Sequence, residues 1–233
     1  MTKVLNVAMI GGGFMGKAHA MAYAAMPMFF WPAPAIPHRK VVVDITDGAA
    51  EEARRRFGFD EASSDWRSVV ARPDIDVVDI CTPNNVHAEI AIAAAKAGKH
   101  ILCEKPLALG LAQTQSMFAV ARANRVMLLE AYPYYFQPQS AAMLDVLQSG
   151  AIGDIQSVQA CFGFTLSNPV NNIRLNPQLG GGALLDAGSY PLSLIRLAMG
   201  CAPPCPALVR HECRQLPTRH HRCKSGHAGD GIP

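Results

Sequence analysis

Short apolar runs alternate with helix-like stretches through the first 130 residues. Residues 4–10 (VLNVAMI) form an apolar run that leads into a glycine cluster, and a helix-like stretch from Lys17 to Met26 follows. Further strand-like runs are Val41–Asp44, Asp76–Cys81, His100–Cys103 and Val126–Glu130. Between them, Asp47 is the expected cap of a helix ending near Phe57-Gly58, and Asn84 or Asn85 that of a helix over 88–97, which Gly98 stops. Another helix is expected over 110–124. Strands of four to seven residues separated by helices predict a right-handed, doubly wound parallel sheet.

The rhythm changes after Glu130. Residues 139–149 read as a helix stopped at Gly150, and Asp154–Phe164 as a long strand with partial alternation at Ile155, Val158, Ala160 and Phe162. That alternation predicts a sheet open on one face. A polar loop leads to Gly180-Gly181-Gly182, and a last helix runs to about Met199. Beyond Gly200 the apolar periodicity stops. The predicted organisation is therefore a dinucleotide-type domain over 1–130, a partial substrate and oligomerisation domain over 131–200, and a disordered tail over 201–233. The fold class is α/β: a Rossmann doubly wound sheet plus an incomplete α+β second domain with an open antiparallel sheet. The Met and Phe residues of the proline-rich loop 27–39 are expected in the core.

Composition adds two points. Half of the 233 residues are apolar and 17% are charged, which is ordinary for a globular enzyme. No run reaches the ~18 apolar residues of a membrane span, and the N-terminal run leads into glycines rather than a small-residue cleavage site. A cytoplasmic protein is expected. The tail holds five Lys/Arg against two Asp/Glu, so the formal charge of +3 belongs to it and residues 1–200 are balanced. No basic face calls for nucleic acid. Cys81, Cys103 and Cys161 lie in apolar stretches and read as ordinary buried thiols.

Chemistry begins at Gly11-x-Gly13-x-x-Gly16. The first glycine permits a turn, the second lets the backbone approach a pyrophosphate, and the third lets helix and strand pack closely. Phe14 and Met15 lie within this loop. The motif follows a strand, opens a helix, and has a carboxylate, Asp44, at the end of the next strand. Asp44 lies 28 residues beyond Gly16 against the usual ~20, and the proline-rich loop accounts for the excess. Asp44 would accept hydrogen bonds from ribose hydroxyls and repel a 2′-phosphate, which favours NAD. Arg39 and Lys40 keep NADP open. His19, just after the loop, reads as a packing or phosphate-neighbour residue.

Two further segments carry a resemblance: Cys81-Thr82-Pro83-Asn84-Asn85-Val86-His87 followed by AAKAGKHILCEKPLAL, and NIRLNPQLGGGALLDAGSYPLSLIRLAMG. With the opening GGGFMGKAHAMAY, they resemble the glucose–fructose oxidoreductase/inositol dehydrogenase (Gfo/Idh/MocA) family over residues 3–200. Asp186 and Tyr190-Pro191 resemble the sugar (xylose-type) and dihydrodiol dehydrogenase branch. The resemblance implies that Thr82, Pro83, Asn84, His87, Glu104 and Lys105 join Gly11, Gly13, Phe14, Met15, Gly16 and Asp44 in holding the cofactor. It implies that Lys105, Asp186 and Tyr190 are catalytic, and that Arg174 helps these three bind substrate. It also implies a cis Lys105–Pro106 bond, no metal, and a homo-oligomer formed through a completed second-domain sheet. Asp186 and Tyr190 are four apart and would share a helix face.

Oxidising a secondary alcohol removes a proton from oxygen while hydride leaves carbon, so a general base is required. Tyr or Lys can serve if its pKa is lowered. Two departures bear on substrate identity: Tyr135 stands where the branch usually has Arg, and Gln137 where it has His. Both are expected on the substrate side.

Four cysteines and four histidines crowd residues 201–233, but their spacing matches no standard zinc clip. The abrupt change predicts a frameshift or premature termination after about residue 200, which would leave the substrate side incomplete. The leading expectation is an NAD(P)-dependent oxidoreductase acting on a sugar, polyol or cyclic diol. A non-catalytic dinucleotide-binding regulator and a non-functional truncated product compete with it. Intact Lys105, Asp186 and Tyr190 favour the enzyme.

Overall fold

The computed structural model describes residues 2–170 and 172–200. The tail 201–233, with the expectations placed on it, lies outside the described residues. Six strands form one wholly parallel sheet: β1 (Lys3–Ile10), β2 (Ala35–Val43), β3 (Glu61–Ser63), β4 (Val77–Ile80), β5 (His100–Glu104) and β6 (Leu128–Ala131). Their order is β3-β2-β1-β4-β5-β6. The order reverses between β1 and β4, which opens a crevice at the carboxyl ends of those strands. Val42, Val78, Ile80 and Met9 are wholly buried, as strands covered by helices on both faces require.

The helices are α1 (Phe14–Phe29), α2 (Asp47–Phe57), α3 (Trp66–Val70), α4 (His87–Lys96), α5 (Leu111–Ala123), α6 (Pro138–Gln148) and α7 (Ser189–Ala198). The short β3 and α3 have too few periodic residues to be legible in the sequence. Thr46, not Asp47, caps α2: its side-chain oxygen accepts the Ala49 N–H at 3.2 Å. Asp47 begins the helix and accepts a hydrogen bond from Ser64 Oγ. Neither Asn84 nor Asn85 caps α4, because a 3₁₀ turn over Asn84–Val86 comes first.

Three expectations need correction. Residues 154–164 pair with nothing, and no antiparallel sheet exists among the described residues. An alternating pattern specifies a strand only where a neighbouring strand accepts its hydrogen bonds. Met28, Phe29 and Phe30 are exposed rather than core, because α1 extends past Met26 to Phe29 and presents them at its end, with exposed Trp31 beside them. Cys161 is exposed, lying in the unpaired stretch, whereas Cys103 is buried as expected. No helix among the described residues is long and apolar enough to cross a membrane.

Candidate active site

The crevice opens into a cavity of about 840 Å³ whose walls come from the ends of β1, β2, β4 and β5 and from residues 162–190. The glycine loop forms its floor. Gly11 has φ +103°, and a Cβ there would lie 2.6 Å from the Cys81 carbonyl oxygen, so no other residue fits. A Cβ on Gly16 would lie 2.1 Å from the Gly11 oxygen, which is how α1 packs against the turn. Gly16 does not itself line the cavity. Gly13, at the N-cap of α1, has nothing within 4 Å of where a Cβ would stand, so its face is open to the cavity. The first turn of α1 has no side-chain cap and no acidic residue, leaving its N–H groups for an anion.

Asp44 stands at the end of β2 and is held by the backbone: Oδ2 accepts the Gly12 N–H at 3.0 Å and Oδ1 the Ile45 N–H at 2.7 Å. Ile45 and Trp66 extend this end of the cavity. Thr82, Pro83 and Asn84 line the wall after β4. Thr82 Oγ1 and Asn85 Oδ1 are buried there without a protein partner, as polar groups waiting for a ligand are. The open Gly13 face, the uncapped helix start and these orphan oxygens fit a dinucleotide. Asn84 Nδ2 donates to the Gly180 carbonyl at 2.8 Å and ties the two walls together.

His87 does not reach the cavity. It is wholly buried, with Nδ1 3.0 Å from the Pro106 oxygen and Nε2 2.9 Å from the Thr82 oxygen. Its place is behind the site, bracing the two cavity-lining loops. Burial lowers its pKa against the pull of those carbonyls.

Lys105 follows β5, and its bond to Pro106 is cis. Its Nζ donates to the Asp186 main-chain oxygen at 2.6 Å, lies 3.5 Å from Asp186 Oδ1, and sits 4.8 Å from the centre of the Tyr190 ring. Arg174 Nε approaches Asp186 Oδ2 at 3.1 Å. All four predicted substrate-side residues thus meet at one end of the cavity. Asp186 lies in a π-helical turn, Leu184–Gly188, a local irregularity frequent at functional sites. Burial, then the charges of Glu104 and Asp186, push the Tyr190 phenol above its ordinary pKa. It therefore stays protonated, contrary to the lowered value a tyrosine base needs.

The sequence reading missed part of the wall. Phe162, Phe164 and Ile173 line the cavity from the unpaired stretch and the loop after it. Phe162 packs 5.2 Å from the Tyr190 ring, and the Arg174 guanidinium sits over Phe164 at 5.8 Å. Conversely, Tyr135 and Gln137 do not line the cavity. The Tyr135 hydroxyl shares a 2.6 Å hydrogen bond with Ser193 Oγ, and its ring stacks on Tyr134.

A parallel sheet in this strand order with a glycine-cradled crevice at its switch point defines a dinucleotide-binding fold of the Rossmann class. Residues 5–132 match the model of an oxidoreductase family with an NAD-binding Rossmann fold, and residues 140–209 match the GFO/IDH/MocA C-terminal domain. The chain belongs to the Gfo/Idh/MocA oxidoreductase family. It is 48% identical over 200 residues to levoglucosan dehydrogenase of Pseudarthrobacter phenanthrenivorans, covering 84% of this chain and 51% of that protein. It is 31% identical over 189 residues to D-xylose 1-dehydrogenase (NADP(+)) 2 of Haloferax volcanii, covering 81% and 57%. The structure superimposes on levoglucosan dehydrogenase in complex with NADH and levoglucosan with a TM-score of 0.79 at 47% identity, covering 84% of this chain and 54% of that one. The chain spans about half the length of the curated relatives it matches.

Proposed function

We propose that this chain carries the cofactor site and the proton-handling group of a dehydrogenase that oxidises a secondary hydroxyl on a sugar or anhydrosugar ring. The observation that carries this reading is the Lys105–Asp186–Arg174 arrangement at one end of the cavity. The dinucleotide supplies the hydride acceptor when bound. Gly13 and the first turn of α1 hold its phosphates, Asp44 its adenosine ribose, and Thr82 and Asn85 offer hydrogen-bond acceptors along the wall.

Lys105 Nζ stands where a general base is needed to take the hydroxyl proton as the C–H electron pair leaves carbon for the dinucleotide. Asp186 orients Lys105 through its main-chain oxygen, and its carboxylate pairs with Arg174, which binds neighbouring substrate hydroxyls. Tyr190, kept as a neutral phenol, donates a hydrogen bond to the substrate rather than removing its proton. Phe162 and Phe164 give the apolar ring face a wall and exclude water. The Asp44 carboxylate favours NAD over NADP. Location in the cytoplasm and self-association through the second domain belong to the same proposal.

The test is a screen of the full chain with levoglucosan, xylose, inositol and cyclic diols, each with NAD and NADP, followed through nicotinamide absorbance. Oxidation of an anhydrosugar or pyranose with NAD is expected. Tight NADH binding without turnover on any of them would favour a regulator instead.

A further inference from the structure

A second polar cluster lies beneath the cavity. His19, on α1, places its ring between carboxylates from two different strands. Nδ1 is 3.0 Å from both oxygens of Asp79 on β4, and Nε2 is 3.0 Å from Glu104 Oε1 at the end of β5. Asp79 is wholly buried and Glu104 nearly so. Tyr23, one turn further along α1, donates its hydroxyl to Asp79 Oδ2 at 2.8 Å, and Cys81 Sγ lies 3.5 Å from Nδ1.

Geometry and the carboxylate nature of the partners together decide the charge, whereas the two oxygens at the His87 ring are neutral carbonyls. A neutral imidazole has one N–H and one lone pair, and a lone pair aimed at a carboxylate oxygen at 3.0 Å is repulsive. A buried carboxylate also requires a cation or a donor. Both demands are met when both ring nitrogens carry protons. The link then runs further: Glu104 Oε1 faces the ring, while Glu104 Oε2 accepts the Lys105 backbone N–H at 3.1 Å.

We propose that His19 is a permanently protonated clamp, a positioning residue that seats Glu104 and Lys105 and couples them to the helix whose N-terminus meets the dinucleotide phosphates. The charged state rests on the cluster alone. The coupling rests on the reading of Lys105 and α1 given above.

The groups facing the ring agree. Burial opposes its charge, but hydrogen bonds to Asp79, Cys81 and Glu104 outweigh that and raise its pKa. Burial and the Asp79 charge push the Cys81 thiol up, and the same two causes act on Tyr23, so both stay neutral beside it.

The test uses the full chain with ¹⁵N-labelled histidine, the His19 signals being assigned by their loss in His19→Gln. Both ring nitrogens should stay protonated from about pH 5 to about pH 8, where an ordinary histidine titrates. A ring that turns neutral in that window overturns the proposal. If His19→Gln does not fold, Asp79→Asn makes the assignment by shifting only the ring it touches.

NADH fluorescence titration then reads the coupling. His19→Gln should weaken NADH at least about tenfold, the weight of a lost charged hydrogen bond. The wild-type affinity should stay flat from about pH 5 to about pH 8, because the ring keeps both protons there. Unchanged affinity in a folded His19→Gln, or a wild-type affinity that shifts in that window as the ring loses a proton, overturns the coupling. Should the wild type not bind NADH at all, the proposed function fails, while the ring spectra still decide the state of His19. His19, Asp79 and Cys81 also present donor atoms within 4.8 Å of one another. Stoichiometric zinc that is lost in Cys81→Ser would make this a metal centre and overturn the clamp.

Discussion

Lys105 Nζ donates to the main-chain oxygen of Asp186 at 2.6 Å, across 81 positions of sequence. The bond joins the two stretches that match separate family models, since Lys105 lies within 5–132 and Asp186 within 140–209. The Asp186 carboxylate is shared: Oδ1 lies 3.5 Å from the same Lys105 Nζ, and Oδ2 lies 3.1 Å from Arg174 Nε. One residue therefore orients the lysine and holds the neighbouring arginine, with a separate oxygen for each.

Lys105→Met should therefore separate binding from chemistry. The methionine keeps the apolar stem but loses the proton-handling nitrogen. NADH affinity should change less than about threefold, while turnover falls at least ~100-fold, the usual weight of proton transfer. Fluorescence titration and initial rates on the substrate found by the screen check the two halves. Equal turnover would remove Lys105 from the chemistry.

Gly13→Val should abolish NADH binding and leave the fold alone. A Cβ at this position meets nothing within 4 Å, so the cost of the branched side chain falls on the space for the pyrophosphate. Gly16→Ala is the contrasting variant. Its Cβ would lie 2.1 Å from the Gly11 oxygen, so it should lower thermal stability as well. Melting curves with and without NADH distinguish the two.

Cofactor choice should turn on Asp44. Replacing it by Ser removes the charge that repels a 2′-phosphate, and Ile45→Arg adds a partner for that phosphate at an exposed position. The double variant should bind NADPH more tightly and NADH more weakly than the wild type. Paired fluorescence titrations measure the ratio, and an unchanged ratio would remove Asp44 as the determinant.

Much of this was legible in the sequence, for physical reasons that differ along the chain. Strands such as Val41–Val43 are buried on both faces, so they read as unbroken apolar runs. The glycine spacing is legible because Gly11 and Gly16 are dictated by contacts within a few residues and one neighbouring strand. The wall of Phe162 and Phe164 was not legible. Their alternation resembles a strand, yet no neighbour pairs with it, and the rings turn to Tyr190 and Arg174 instead. Nor was the role of His19, whose partners Asp79 and Glu104 lie 60 and 85 positions away. Exposure of Met28, Phe29 and Phe30 escaped as well, because composition says a side chain is apolar, not which way its helix end faces.

Stability should peak near pH 6.5, because two buried histidines pull in opposite directions. His87 has a lowered folded-state pKa, owing to burial. Below the unfolded value of about 6.5, the unfolded chain takes up a proton at His87 that the folded chain resists. Stability therefore falls as pH drops from about 6.5 towards the lowered folded value. His19 has a raised folded-state pKa, since its hydrogen bonds to Asp79, Cys81 and Glu104 outweigh burial. Its contribution is fully present below about 6.5 and is lost as pH rises, because only the unfolded chain releases that proton. A one-proton difference gives a limiting slope of about 1.4 kcal/mol per pH unit on each limb. Urea unfolding of the full chain between about pH 5 and about pH 8 measures both limbs around the histidine range. A curve that kept rising above pH ~6.5 would mean that His19 deprotonates in the folded protein. In Asp79→Asn, which leaves the ring one carboxylate, the alkaline limb should persist but flatten at a lower pH, because the folded-state pKa then lies closer to the unfolded one.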